Sequence, residues 1–265
     1  MNFYTKNDIL KSLQKLNIKK GDKIFINPEI YKFGFYKDAK KSEDYFIHFY
    51  TILKNLVGKN GTLCMNSYTF DTLRYNKPFN YNSHQCTSGK LSEILLKDKK
   101  SVRSIHPVFS VSAVGKNAKY ICNNNSRHNY GFNSPYLKFL ECNGKILNLG
   151  MNPWQNPFNH VAEFLIGVPY YYNKYTNIKY LKNGKKKKLS FSSFVRYLNY
   201  ELIEDFSIIK KEIQRLKIVN KQKLGEGYIF SMNSNRYLQA CIKMLSKNQF
   251  AFINKGLYLK SLKSK

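Results

Sequence analysis

From about residue 5 to residue 170 the chain switches repeatedly between the apolar spacing of a helix and that of a strand, and this alternation confines it to few architectures. Thr5 followed by Asp8 forms a capping-box pattern with Asp in place of Glu, opening a helix with Ile9, Leu10, Leu13 and Leu16 on one face. Gly21-Asp22 turns into a short apolar strand, Lys23 to Asn27. A second helix runs from about Ser42 to Val57 and stops at Gly58, and Gly61 to Met65 reads as the next strand. Ser88-Gly89 opens a third helix carrying Leu91, Ile94 and Leu95. His106 to Val114 reads as extended, Ser134 to Glu141 as helical, and Lys145 to Leu149 as a buried strand after the turn Asn143-Gly144. A further helix carries His160 and Glu163. Such alternation specifies an α/β fold with a central mixed, partly parallel sheet flanked by helices. Beyond Tyr170 the pattern changes to a hairpin (Ile178 to Leu189), a charged helix (about Ser192 to Ile218) and a helix from about Ser234 to Ser246. No repeat or long linker divides the chain, so residues 1–265 are expected as one domain, with 1–256 as core and 257–265 as a lysine-rich tail.

Composition narrows the class. A hydrophobic content of 43% over 265 residues suffices for a sizeable core. No apolar run of about eighteen residues occurs, and the first residues lack the apolar centre of a signal peptide, so a cytoplasmic protein is expected. Cys64, Cys86, Cys122, Cys142 and Cys241 are odd in number, scattered and without a CxxC pair, which supports free thiols and no metal knuckle. The formal charge of +29 is spread along the chain. Its densest run, Lys185 to Lys188, follows the turn pair Asn183-Gly184 and reads as a solvated hairpin tip. With only 16 acidic residues, the surface field favours anionic ligands over polycations.

His160 and Glu163 lie three residues apart, so on a helix they sit one above the other and can meet. A carboxylate beside a histidine selects one tautomer and stabilises the imidazolium formed on proton capture. Val161, Phe164, Leu165 and Val168 form a core-facing stripe, and His160, Glu163 and Gly167 lie on an adjacent stripe roughly 120° away. The pair therefore belongs at the edge of the buried face, although spacing alone is equally met by a surface ion pair. Two more histidine clusters precede it. Arg103-Ser104-Ile105-His106-Pro107 leads into Phe109-Ser110, with proline holding His106 extended. His128 precedes Gly131-Phe132-Asn133-Ser134-Pro135-Tyr136, in which Ser134 caps a helix and Pro135 takes its first position. The first cluster reads as a structural turn or as a site, and the second as a cap or as a helix end whose free backbone donors face an anion or a developing oxyanion. No GxGxxG, Walker or GxSxG pattern is present, so those chemistries have no support.

Taken in order, Gly61-Thr62-Leu63, Ser88-Gly89-Lys90-Leu91, the run from Arg103 to Gly115, Gly131 to Tyr136, Leu149-Gly150 and His160-Val161-Ala162-Glu163 closely resemble the aminoglycoside 3-N-acetyltransferase family. The resemblance spans about residues 5 to 255 and is strongest between Gly61 and Pro169. It implies an acetyl-coenzyme A-dependent acyltransferase with an α/β fold distinct from the GNAT enzymes, needing no metal and joining donor and amine in one ternary complex. It implies His160 as the general base and Glu163 as its partner. It also places Ser104, His106, Ser110 and Ser134 where the family lines the cleft, as coenzyme-binding residues.

Some positions depart from the family pattern. Asn27-Pro28-Glu29-Ile30 stands where the family has a histidine-serine-serine-leucine run, Pro157 where it has a threonine, and Asn66 where it has a proline. These changes point to a divergent member with a different acceptor, or to one that has lost activity. The whole-chain charge suggests an anionic amino-sugar derivative, a nucleotide-linked amino sugar bound for a surface glycan, rather than a polycationic aminoglycoside. An aminoglycoside-modifying enzyme remains the alternative, recognisable by carboxylates around its cleft. A non-catalytic basic binding protein is the alternative of another class.

Overall fold

The computed structural model describes residues 3–41, 43–75, 77–83 and 86–263. Thr5 opens α1 (Lys6–Lys15) with a complete capping box: its hydroxyl accepts from the Asp8 amide at 3.2 Å, and Asp8 accepts from the Thr5 amide at 2.9 Å. Then come β1 (Lys23–Pro28), α2 (Asp44–Val57), β2 (Thr62–Asn66), α3 (Phe70–Arg74), β3 (Phe79–Asn80) and α4 (Lys90–Lys97). The chain continues through β4 (Val102–Arg103), β5 (Val111–Gly115), α5 (Ala118–Cys122), α6 (Pro135–Glu141), β6 (Lys145–Leu149) and α7 (Phe158–Ile166). It ends with β7 (Tyr171–Lys182), β8 (Lys185–Arg196), α8 (Ser207–Arg215), β9 (Val219–Leu224), β10 (Gly227–Asn233), α9 (Ser234–Lys247) and α10 (Lys255–Lys263). The expected start of α2, Ser42, lies outside the described residues.

The main sheet has the order β4-β5-β2-β1-β6-β10-β9. Its centre, β2-β1-β6, is parallel, and the outer pairings are antiparallel. Alternate side chains of a strand point to opposite faces, and here both faces are covered. Ile24 and Ile26 join Leu63, Met65, Leu147 and Leu149 beneath α1, α2 and α4. Phe25, Cys64 and Ile146 face the other way, against Phe139 of α6, Phe158 and Val161 of α7, and Tyr237 of α9. This is why β1 and β6 read as unbroken apolar runs. A second sheet, β3-β7-β8, leans on a smaller cluster of Phe79, Val108, Ile178, Tyr180 and Phe191.

Several expected boundaries move. The hairpin is twelve residues on each arm, turned by Asn183 (φ 50°) and Gly184 (φ 74°), and its lysines 185–188 are strand residues exposed to solvent. Ser192 to Arg196 are therefore strand and not helix. Pairing with β7 and the bond from the Phe194 amide to Asn129 (2.9 Å) outweigh the local pattern, so the charged helix shrinks to α8. The extended stretch from His106 is a loop until Val111. The β9-β10 hairpin, hidden by alternating lysines, extends the main sheet past β6. Residues 257–263 are helical and not a free tail: Tyr258 is buried and its hydroxyl donates to the Pro169 carbonyl at 3.3 Å. No helix among the described residues is long and apolar enough to cross a membrane.

Candidate active site

The carboxyl ends of the parallel strands β1, β2 and β6 open onto one place, the position at which α/β sheets usually hold ligands. Asn27 and Asn148 sit side by side there, joined by a 2.9 Å bond from the Asn27 amide group. Asn148 in turn donates to the Asn152 carbonyl at 2.7 Å and so shapes the loop leading to α7. Gly150 allows that loop to leave the sheet: it holds φ +76°, and a Cβ there would lie 2.4 Å from the Glu29 carbonyl oxygen.

Pro157 cannot cap α7 with a side chain, and Asn156 does so instead, accepting from the Phe158 amide at 3.0 Å. Asn159 bonds the Trp154 carbonyl and accepts from Tyr237 of α9 at 2.7 Å, which fixes the helix in rotation. The helix buries Phe158, Val161, Ala162 and Glu163, whereas Leu165, expected on the core stripe, is exposed. It ends at Gly167 in the left-handed region (φ 72°, ψ 50°), and the chain doubles back through Val168 and Pro169. That reversal returns Tyr170 over the helix.

His160 Nδ1 lies 2.6 Å from Glu163 Oε2, and the Tyr170 hydroxyl donates to Glu163 Oε1 at 2.9 Å. Glu163 has 4% of its side chain exposed and His160 32%, so the carboxylate is sealed beneath a reachable ring. An ionised carboxylate only accepts, so the proton belongs on Nδ1 and the Nε2 lone pair is left for chemistry. Burial works against a charged ring. The Glu163 carboxylate outweighs it, with a smaller push from Glu204, and the pKa of His160 rises above the ordinary histidine value. Tyr130 and Tyr171 flank the ring at centroid distances of 5.6 and 5.7 Å.

These residues border a cavity of about 320 Å³. Its polar lining includes Asn27, Asn66, Gln155, Asn156 and Asn159, and its apolar walls include Phe70, Phe109, Phe206 and Phe252. Glu163 and Glu204 supply its charge, and among the described residues neither lysine nor arginine lines it. The excess of +29 on the whole chain therefore does not describe this cavity. The field a ligand meets is set by groups within a few ångströms, and distant lysines are screened.

The other expected site residues lie elsewhere. Ser104, His106, Ser110 and Ser134 are buried and line no part of this cavity. Ser104 Oγ accepts from the Val111 amide at 2.9 Å. Ser110 Oγ accepts from Arg103 at 2.9 Å and donates to the Ser67 carbonyl at 2.6 Å. Ser134 Oγ caps α6, accepting from the Leu137 amide at 3.3 Å. His106 Nδ1 accepts from the Val108 and Phe109 amides, while Nε2 meets the Ser192 carbonyl at 3.3 Å. Each of the four makes hydrogen bonds within the protein. What these motifs deliver is support. Tyr136, beside Ser134, donates to Asn66 at 2.8 Å and meets Tyr68 at 2.8 Å, placing two cavity residues. Tyr170, Tyr130, Tyr171 and Glu204 were not singled out from sequence. Only Tyr170, seven residues past Glu163 and after a helix-ending glycine, left a signal to follow.

His106 makes stability depend on pH. Burial pushes its pKa down to about 3, so the folded chain binds fewer protons than the unfolded one between there and about 6.5. Stability is therefore lost as pH falls through that window, by about 2 kcal/mol between pH 6.5 and 5 at one unit per 1.36 kcal/mol. His128, whose pKa burial also lowers, acts in the same direction. His160, with its raised pKa, acts in the opposite one. Urea unfolding at both pH values checks this, and His106→Gln flattens the dependence.

The family model described as aminoglycoside 3-N-acetyltransferase matches residues 47–246. The chain belongs to that family. As a member of the aminoglycoside 3-N-acetyltransferase family it is an acyltransferase that moves an acetyl group from acetyl-coenzyme A to an amine. Solved structures share the fold. "AAC-IIIb binary with CoASH" is 21% identical, with a TM-score of 0.77 over 92% of this chain and 97% of that one. "AAC-VIa bound to Sisomicin" is 18% identical, with 0.76 over 92% and 98%. The YokD protein from Bacillus subtilis is 18% identical, with 0.73 over 92% and 100%. Comparison with curated protein sequences finds no significant match. Among the described residues, no group of three or more His, Cys, Asp or Glu side chains is placed to hold a metal.

Proposed function

We propose that this chain transfers acetyl directly from acetyl-coenzyme A to an amino group of an amino sugar, with His160 as general base. The observation that carries this reading is the 2.6 Å contact between a buried carboxylate and Nδ1 of a ring that borders an open cavity, which leaves Nε2 for chemistry. An alkylammonium must shed a proton before its nitrogen can attack. Nε2 accepts that proton, the freed amine then bonds to the thioester carbonyl carbon, and the second proton that nitrogen must lose to become an amide passes to solvent. The C–S bond then breaks and sulfur leaves as the thiolate, which the imidazolium can protonate. Glu163 stabilises the imidazolium and Tyr170 holds Glu163. Donor and acceptor meet in one ternary complex, and no residue carries the acetyl group. No buried cysteine near the ring serves as a carrier: Cys241 is sealed in the core, and burial raises its thiol pKa.

The cavity refines the acceptor. A pyrophosphate needs cations or helix-end donors, and among the described residues no lysine or arginine lines this space. Glu204 and the amide groups suit an amino sugar bearing free ammonium groups, while the aromatic walls suit its ring faces. A nucleotide-linked sugar, favoured by net charge alone, is the reading this lining opposes. Acetyl-coenzyme A with panels of unphosphorylated amino sugars, aminoglycosides and nucleotide-linked amino sugars decides it by thiol release. Turnover is expected with the first two classes. Turnover confined to nucleotide-linked sugars overturns the acceptor assignment, and none with any amine overturns the reaction.

A further inference from the structure

Far from His160, at the amino end of β2, the surface holds a second concavity of about 1040 Å³. Three separate segments close around it, and each brings lysines: Lys54 and Lys59 from the end of α2, Lys99 and Lys100 from the turn before β4, Lys116 and Lys119 from the passage between β5 and α5. Its lining contains no aspartate or glutamate. Asp98, beside it in sequence, is bound to Lys54 and to the Tyr50 hydroxyl. The other five lysines have no carboxylate partner among the described residues. Elsewhere lysines do find acids, as in Lys145 with Asp22 at 2.7 Å and Lys90 with Glu43 at 3.0 Å.

The lining of this concavity combines apolar side chains, among them Leu63, Val102 and Val114, with glycine backbone. Gly58, Gly61 and Gly115 line it, and Gly115 holds φ +120° with its Cα so near β2 that a Cβ would lie 2.1 Å from the Gly61 carbonyl oxygen. Ser101 Oγ, also in the lining, is buried and has no hydrogen-bond partner among the described residues. Like charges gathered around one hollow repel one another, and a matching anion relieves that cost.

We infer that this concavity is a binding site for the polyphosphate chain of a small molecule, separate from the acetyl-transfer cavity. Convergence of three segments on one hollow suits a compact chain of phosphates better than a long polymer, which would follow a ridge or stripe. The lysines offer point charges to phosphate oxygens, and Ser101 offers a hydroxyl donor.

Inorganic tripolyphosphate, titrated into the full-length protein by calorimetry at about 150 mM salt, is the probe. One saturable site is expected. The double variant Lys100→Glu, Lys116→Glu should weaken it at least about tenfold, and Lys100→Gln, Lys116→Gln, a milder change, should weaken it less. The same charge reversal on the distant hairpin, Lys186→Glu with Lys187→Glu, should leave affinity within about twofold, because exposed charges beyond a Debye length are screened. His160→Ala should bind as wild type. ATP binding with adenosine silent assigns the chain to a free nucleotide. Competition by coenzyme A but not by pantetheine assigns it to the coenzyme's own phosphates. Equal loss in both glutamate double variants, many weak sites, or retention of RNA without tripolyphosphate overturns the proposal. A circular dichroism melt of each variant confirms that lost binding is not lost folding.

Discussion

Replacing His160 with alanine lowers kcat by about 10²- to 10⁴-fold, the usual worth of a positioned general base, while acetyl-coenzyme A still binds. The size follows from the lack of a substitute. A carboxylate is a weaker base than an imidazole, so neither Glu163, still held by Tyr170, nor Glu204 in the same lining replaces the ring. Steady-state rates measured by thiol release, with coenzyme binding followed by calorimetry, separate the two effects. A loss of coenzyme binding with unchanged kcat would give His160 a different job. Raising the pH should partly restore the alanine variant, because more of the acceptor amine is then neutral before it binds. Wild type gains less from the same change, since its base already performs that step.

Glu163→Gln is expected to be nearly as damaging, although it changes a single atom. A carboxylate accepts from Nδ1 and leaves Nε2 unprotonated. An amide can present its NH₂ group to Nδ1, which puts the imidazole proton on Nε2 and points a donor at the ammonium. The same reversal in the Ser-His-Asp triad costs about 10⁴ in kcat, and a loss of about 10²-fold or more is expected here. The pH profile carries the sharper sign. The carboxylate holds His160 above its ordinary pKa, so the acid limb of kcat/KM should move to lower pH in Glu163→Gln. Tyr170→Phe leaves the carboxylate in place and removes one donor from Oε1, so the loss should be smaller, with a shift of the limb the opposite way. An unmoved limb in Glu163→Gln would remove the carboxylate from the titration of His160.

Much of this arrangement was readable from residue order alone. The Thr5–Asp8 box, the apolar strands Lys23 to Asn27 and Lys145 to Leu149, and the i, i+3 pair on α7 each rest on contacts within a few residues, and local chemistry decides them. Tyr170 and Glu204 reach the site only because Gly167 reverses the chain and because Glu204 pairs with Ile253 in an isolated bridge. Such pairings leave no periodicity behind. The same reason explains Ser192 to Arg196, whose strand state depends on partners in β7 and on Asn129. The serine and histidine motifs upstream do not line the cavity that His160 borders. His106 and His128 each accept from two backbone amides two and three residues ahead and tie their loops to the hairpin. Their polar chemistry is real, but it is directed inward. Net charge sums over a surface, whereas the cavity beside His160 is lined by Glu163, Glu204 and a ring of amides.

A crystal structure of the protein with coenzyme A tests the central claim most directly. The account predicts the thiol sulfur inside the cavity bordered by Asn66, Tyr130 and His160, with His160 Nε2 facing the space beside it where the acceptor nitrogen must stand. A coenzyme whose thiol lies away from that cavity, with His160 Nε2 facing neither sulfur nor an acceptor site, would contradict it.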